Sequence, residues 1–216
     1  MKVALIGASG FVGSAILQEL LQRGHQVTAI ARNRGKIPSG ENLTIISADV
    51  MNEAEVEKAV AGHDAVISAY NAGWQNPNLY NDFLKGSQAI QRAVKNTGVK
   101  RLIVVGGAGS LFIAPEQQVV DTEGFPADWK PGALAARDYL NILRKETVLD
   151  WTFLSPAVEM HQGTSGERKR TYRKGLENPV LDAEGRSVIS VEDTAMAIVD
   201  ELEHPEHIRQ RFTVAY

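Results

Sequence analysis

No cysteine occurs in the 216 residues, which excludes disulfides, zinc–thiolate sites and cysteine nucleophiles from the start. A basic excess is also missing: 23 lysines and arginines face 26 aspartates and glutamates, for a net charge of −3. Nucleic-acid surfaces need the opposite balance, so no such partner is expected. No apolar run approaches the length that spans a bilayer, so no membrane partner is expected either. The start, Met1-Lys2-Val3, enters a strand pattern at once; no signal peptide is read, and the expected address is cytoplasmic. Repeats, low-complexity tracts and linkers are lacking. What remains is an ordinary balance, 44% hydrophobic and 23% charged, in a length that suits a single domain over 1–216, as monomer or homodimer.

The apolar pattern alternates between two periods. Residues 2–6 form a compact apolar run ending in glycine, as a buried parallel strand does. Val12, Ile16, Leu17, Leu20 and Leu21 then recur at helical spacing until Gly24 stops the helix. The same reading places strands at 26–31, 43–47, 65–69, 101–105, 151–154 and 211–214, and helices at 53–61, 77–96, 133–146 and 193–202. Asn52 and Glu55 look like a capping-box pair opening the second helix. Two stretches break the rhythm. Residues 106–131 are rich in glycine, proline and acid, the mark of a functional or mobile segment. Beyond Pro156, residues 156–187 are expected to form a small substrate-side lobe carrying the basic run Glu167 to Lys174. Strand–helix alternation implies right-handed crossovers. The expected fold is α/β: a Rossmann-type doubly wound, mainly parallel sheet with helices on both faces and a small C-terminal lobe. Ligands of such sheets bind beyond the carboxyl ends of the strands.

At the first of those ends stands Gly7-Ala8-Ser9-Gly10-Phe11-Val12-Gly13. Gly7 allows the tight turn, Gly10 lets backbone approach a pyrophosphate, and Gly13 lets the helix pack closely. The helix N-terminus offers free amides to the phosphates. The position, after a strand and before a strong helix, marks a dinucleotide site. An NAD site places a carboxylate at the end of the second strand for the ribose 2′-hydroxyl. Here that end reads Arg32-Asn33-Arg34, with no carboxylate. Arginine can grip a 2′-phosphate bidentately, so NADP(H) is expected over NAD(H), with Arg32 as the main contact. Arg34 and Lys36 read equally well as helpers or as a solvated loop.

The spacing Gly-x-x-Gly-x-x-Gly resembles the extended and atypical short-chain dehydrogenase/reductase superfamily. The resemblance spans essentially the whole chain and narrows to the NAD(P)H-binding group with NmrA-like proteins, biliverdin reductase B and NADH-flavin reductases. The matching pieces are ALIGASGFVGSAI, AIARN, ADVMN, DAVISAYNAG, RLIVVGGAGS, DWTFLSPA and SVEDTAMAI, in that order. The resemblance implies that Asp49 and Val50 lie by the adenine and that Ser68, Ala69 and Tyr70 line the ribose path. Asp49 reads equally as a helix-entry cap. Gly106, Gly107 and Ser110, after the fifth strand, and Pro156-Ala157, after the sixth, are implied beside the nicotinamide.

The superfamily's usual proton chemistry rests on a Tyr-x-x-x-Lys pair. Here Tyr139 is followed by Leu143, and Lys145, six residues on, falls on another helix face. Catalytic candidates are Ser110, His161 and Tyr139, although Tyr139 reads first as a half-buried helix aromatic and His161 as a surface residue. Hydride transfer to a flavin such as FMN survives without the pair, because the cofactors carry the hard chemistry. The expected substrate is therefore a small planar acceptor. Trp74, Trp129 and Phe125 either stack on it or pin the loops. The basic run reads as a solvated hairpin, ahead of a site for an acidic group. A second function fits the missing pair, a non-catalytic NADP-binding sensor; a third, a sugar-nucleotide epimerase or dehydratase, is disfavoured by it. The short stretch after Pro156 also counts against the third, being small for a nucleotide-sugar lobe.

Overall fold

The computed structural model describes residues 1–216. It contains an eight-stranded sheet built in the rhythm the sequence sets. β1 (Lys2–Ile6) runs through the glycine turn into α1 (Phe11–Gln22), then β2 (Gln26–Ile30) and β3 (Leu43–Ile46). α2 (Glu53–Val60), β4 (Ala65–Ser68), α3 (Leu79–Asn96) and β5 (Arg101–Val105) follow. A hairpin of β6 (Phe112–Ala114) and β7 (Gln117–Gln118) precedes α4 (Lys130–Leu143), β8 (Asp150–Ser155), β9 (Arg173–Gly175), α5 (Val191–Glu203) and β10 (Gln210–Ala215).

The strand order is β3-β2-β1-β4-β5-β8-β10-β9, parallel throughout except for β9, which runs antiparallel to β10 at the edge. The order reverses between β1 and β4, and the glycine turn leaves β1 at that switch point. Each strand's alternate residues feed two cores. α1 and α5 cover one face over Val3, Leu5, Ile103, Leu154 and Phe212. α2, α3 and α4 cover the other over Ala4, Ile6, Leu102, Trp151 and Phe153. Burial on both faces explains why the strands read as continuous apolar runs.

The structure departs from the sequence reading at element ends, and local chemistry explains each case. α3 starts at Leu79 rather than 77, because Asn76, Asn78 and Asp82 build a bonded turn ahead of it. α4 begins at Lys130, with Pro131 in the first turn, where its missing N–H costs nothing. It stops before Glu146, whose carboxylate accepts from the Val148 amide at 2.6 Å. Asn52 and Glu55 do not form a capping box. The Asn52 side chain donates to Glu55 instead, and Glu55 accepts from the Asp49 amide, both at 2.9 Å. The stretch 106–131 is ordered around the β6–β7 hairpin and two short 3-10 turns. Residues 156–187 return one strand, β9, to the main sheet. Arg173 and Lys174 lie on that strand, and charged side chains of this kind guard an exposed edge.

Candidate functional site

The glycine turn has the geometry its spacing implies. Gly7 adopts φ 82°, and a Cβ there would lie 2.5 Å from the Ala69 carbonyl oxygen. A Cβ on Gly13 would meet the Gly7 carbonyl oxygen at 2.0 Å, so α1 packs directly on the turn. Gly10 differs: its Cβ would meet only the Gly7 oxygen, at 3.3 Å, and the rest of its surroundings are open. No side chain caps α1 and no acid occupies its first turn. The amides and the positive end of the helix dipole are thus left for an anion. Gly106 has a packing reason of its own, since its Cβ would fall 1.9 Å from the Phe153 ring.

Beside the turn, Arg32, Asp49, Val50, Tyr70, Ala72 and Asp82 line one small pocket. Tyr70 is its fixed wall. Its hydroxyl donates to the Asp82 carbonyl at 3.0 Å, its ring stacks on Phe83 at 5.9 Å, and bare Gly86 makes room for it. Burial pushes the phenol up to about 12, helped by the nearby Asp82 charge. Arg32 is exposed and reaches the pocket, and Val50 is buried in its floor. Asp49 accepts from the Met51 amide at 3.0 Å, a turn that lies ahead of α2 and does not cap it, since the cap position is Asn52. Asn33 turns its side-chain oxygen onto the Gly35 amide at 3.0 Å, so it holds the loop that follows β2. Ser68 is buried at the end of β4, and Ala69 meets the Gly7 turn.

Pro156 and Ala157 follow β8 and are both buried. The hydroxyl of Ser155, the last residue of β8, has no partner within the protein, nor has that of its register neighbour Thr213. Buried hydroxyls are normally bonded, so this end of the sheet keeps hydrogen-bonding capacity in reserve.

The three catalytic candidates lie in separate places, and no hydrogen bond joins any two of them. Tyr139 is 1% exposed, in edge-on contact with Phe83. Burial drives its phenol far above the ordinary tyrosine range, the reverse of what a lysine partner does. Leu143 is fully buried in the same core, where the lysine would stand. Tyr139 is therefore a packing residue, and its assignment as a proton carrier is corrected. Ser110 is also buried; its hydroxyl and carbonyl oxygens accept from one nitrogen of Arg211 at 3.0 and 2.9 Å. His161 is exposed and caps the turn 162–164, its Nδ1 accepting from the Gly163 amide at 3.0 Å.

Sequence reasoning missed Arg211 and Glu177. The Arg211 side chain is wholly buried, and it pairs with the Glu177 carboxylate, which Arg144 also holds at 2.9 Å. Burial raises the Glu177 carboxyl, but the two arginines outweigh it and keep it below the usual range. The Phe112 amide donates to the Glu177 carbonyl at 2.8 Å. Arg211 thus ties the segment after β5, the hairpin and the segment after β9 together. A charge inside an apolar final strand was the signal available.

Two side chains of the basic run pair with acids, one on α1 and one just after α5. Arg168 pairs with Glu19 at 2.5 Å and Lys174 with Glu206 at 2.7 Å. The amides of Lys169 and Arg170 donate to buried Asp193, and the Tyr172 hydroxyl donates to Asp200 at 2.5 Å. These contacts dock the segment on the α1–α5 face.

A glycine turn at a Rossmann switch point, with an uncapped helix behind it, defines a dinucleotide-binding protein. The chain belongs to the NAD(P)H-binding family, whose profile matches residues 7–205. It is 40% identical to the uncharacterized protein YwnB of Bacillus subtilis, over 99% of this chain and 98% of that one. A candidate epimerase from Bacteroides thetaiotaomicron shares its structure with TM-score 0.91 and 47% identity, covering 100% of this chain and 96% of that one. A candidate NADH-flavin reductase from Streptococcus pneumoniae does so with TM-score 0.87 and 36% identity, over 100% and 99%. No helix is long and apolar enough to cross a membrane.

Proposed function

We propose that the protein is an NADPH-dependent oxidoreductase that reduces a flavin or a similar conjugated, planar acceptor by direct hydride transfer. One observation carries this reading: the sheet edge has a glycine-built phosphate cradle, while Tyr139, which stands where the superfamily's catalytic tyrosine would, is buried beside Leu143 with no lysine to activate it. Alcohol chemistry needs that pair; hydride delivery to an acceptor that is itself a good electron sink does not.

The reduced nicotinamide supplies the hydride when bound. Gly7 to Gly13 and the first amides of α1 hold the pyrophosphate. Arg32 holds the 2′-phosphate, while Asp49, Val50 and Tyr70 wall the adenine-ribose end. Gly106, Gly107, Pro156 and Ala157 would hold the nicotinamide end, and the free hydroxyls of Ser155 and Thr213 would offer it hydrogen bonds. Aligning the nicotinamide with the acceptor ring would be the chain's own contribution to the transfer. The candidate NADH-flavin reductase among the structural relatives supports the acceptor class.

The test mixes purified protein with NADPH and FMN or riboflavin and follows the nicotinamide absorbance. Oxidation above the protein-free rate is expected. NADPH binding without oxidation by any flavin would instead mark a redox sensor.

A further inference from the structure

Trp74 stands out among the side chains the site has not absorbed. It is 61% exposed, more than any other large hydrophobic residue. Leaving that much apolar ring in water forfeits burial energy, so packing does not account for its position.

The loop that presents it is rigid. Asn71 accepts from the Gly73 amide at 2.7 Å, and Gly73 takes φ 105° to turn the chain. The Asn76 amide closes on the Gly73 carbonyl at 3.0 Å, and its side chain bonds Asp82 at 2.8 Å. One edge of the indole rests on bare Gly132 in the first turn of α4, where a Cβ would lie 2.9 Å from the ring. The next residue, Ala133, packs on Gly109 of the segment after β5. Trp74 therefore leaves the carboxyl end of β4 and leans across to the segment that follows β5. β5 is one of the two strands whose ends the proposed function gives to the nicotinamide, and β4 is its neighbour in the sheet.

We infer that Trp74 is the stacking platform for the acceptor and selects flat heteroaromatic rings over aliphatic carbonyl compounds. The inference rests on the function proposed above and names its specificity element. A rigid loop holds the indole in place before the acceptor arrives, so little ordering entropy opposes stacking. Gly132 is the matching feature: any side chain there would push the ring off its seat.

The experiment has two arms on the full chain. In the first, riboflavin is titrated against protein saturated with NADP⁺, and quenching of riboflavin fluorescence is read. Wild type and Trp74→Phe should bind. Trp74→Ala should weaken riboflavin binding roughly 10-fold or more, with NADPH affinity unchanged within about 2-fold. In the second arm, turnover with FMN should show the Trp74→Ala loss in KM rather than kcat. Equal riboflavin affinity in Trp74→Ala and wild type, or no quenching by wild type at all, would overturn the platform. Quenching without turnover in wild type would retain the platform and refute the reductase.

Discussion

At the scale of the residue, adjacent glycines of one motif do different physical work. Gly13→Ala forces a Cβ to 2.0 Å from backbone, which cannot be relieved by a rotamer. Overpacking of this kind costs about 1–3 kcal/mol, or roughly 2–4 °C of Tm per kcal/mol in a chain this size, readable by calorimetry. Gly10→Ala meets only one atom, at 3.3 Å. It should fold with nearly unchanged Tm and lose NADPH affinity, because the added methyl occupies the approach to the phosphate. Equal Tm losses in the two variants would contradict this division. Arg32→Asp tests the 2′-phosphate contact. A charge-assisted bond is worth about 1.5–3 kcal/mol, so NADPH affinity should fall roughly 10- to 150-fold while NADH affinity holds. A parallel loss for both cofactors in a binding titration would remove Arg32 from the site. Arg32 was legible because β2 ends there without a carboxylate. Asn33 was not, because only the turn geometry shows its side chain committed to the Gly35 amide.

At the scale of the element, α4 carries the clearest correction. Its periodicity announces a helix, but periodicity does not say which aromatic faces the cleft. Tyr139 points into the core with Leu140 and Leu143. Tyr139→Phe should leave kcat/KM within about 2-fold, since the phenol is buried in the core, made a weaker acid by that burial, and has no lysine partner. A large drop would restore it as a catalytic group. β10 shows the opposite case. Arg211 looks like an ordinary strand residue until the fold brings Glu177 and Ser110 to it from 34 and 101 positions away. Arg211→Leu leaves the Ser110 hydroxyl oxygen without its donor, while Gln118 still donates to the Ser110 carbonyl at 3.0 Å. It should cost about 1–3 kcal/mol in chemical denaturation, at the lower end if the part-exposed Glu177 rehydrates.

At the scale of the whole molecule, several tyrosines share a direction. Tyr70, Tyr139 and Tyr172 are all raised, first by burial and in each case also by a nearby carboxylate. In the unfolded chain they lose their protons near pH 10. The folded state holds them longer, Tyr70 to about 12. The stability they contribute is therefore complete below pH 10 and is lost as pH rises through the folded values. Thermal unfolding scans from pH 8 to 11 should show Tm falling above about pH 10, and Tyr172→Phe should flatten that fall.

Sequence alone determined the strand–helix order, the glycine turn and the residue at the end of β2, because each is written in local spacing and backbone preference. It also determined that no lysine follows Tyr139 at the required step. The tertiary structure decided which side chains meet: that Arg211 holds Ser110, that Glu19 on α1 takes Arg168 of the basic run, and that β9 completes the sheet. It also decided that Trp74 stays open on a rigid loop. The difference is physical. Periodicity records which face of an element is apolar, whereas pairing between distant polar groups depends on crossings and registers that no short window contains.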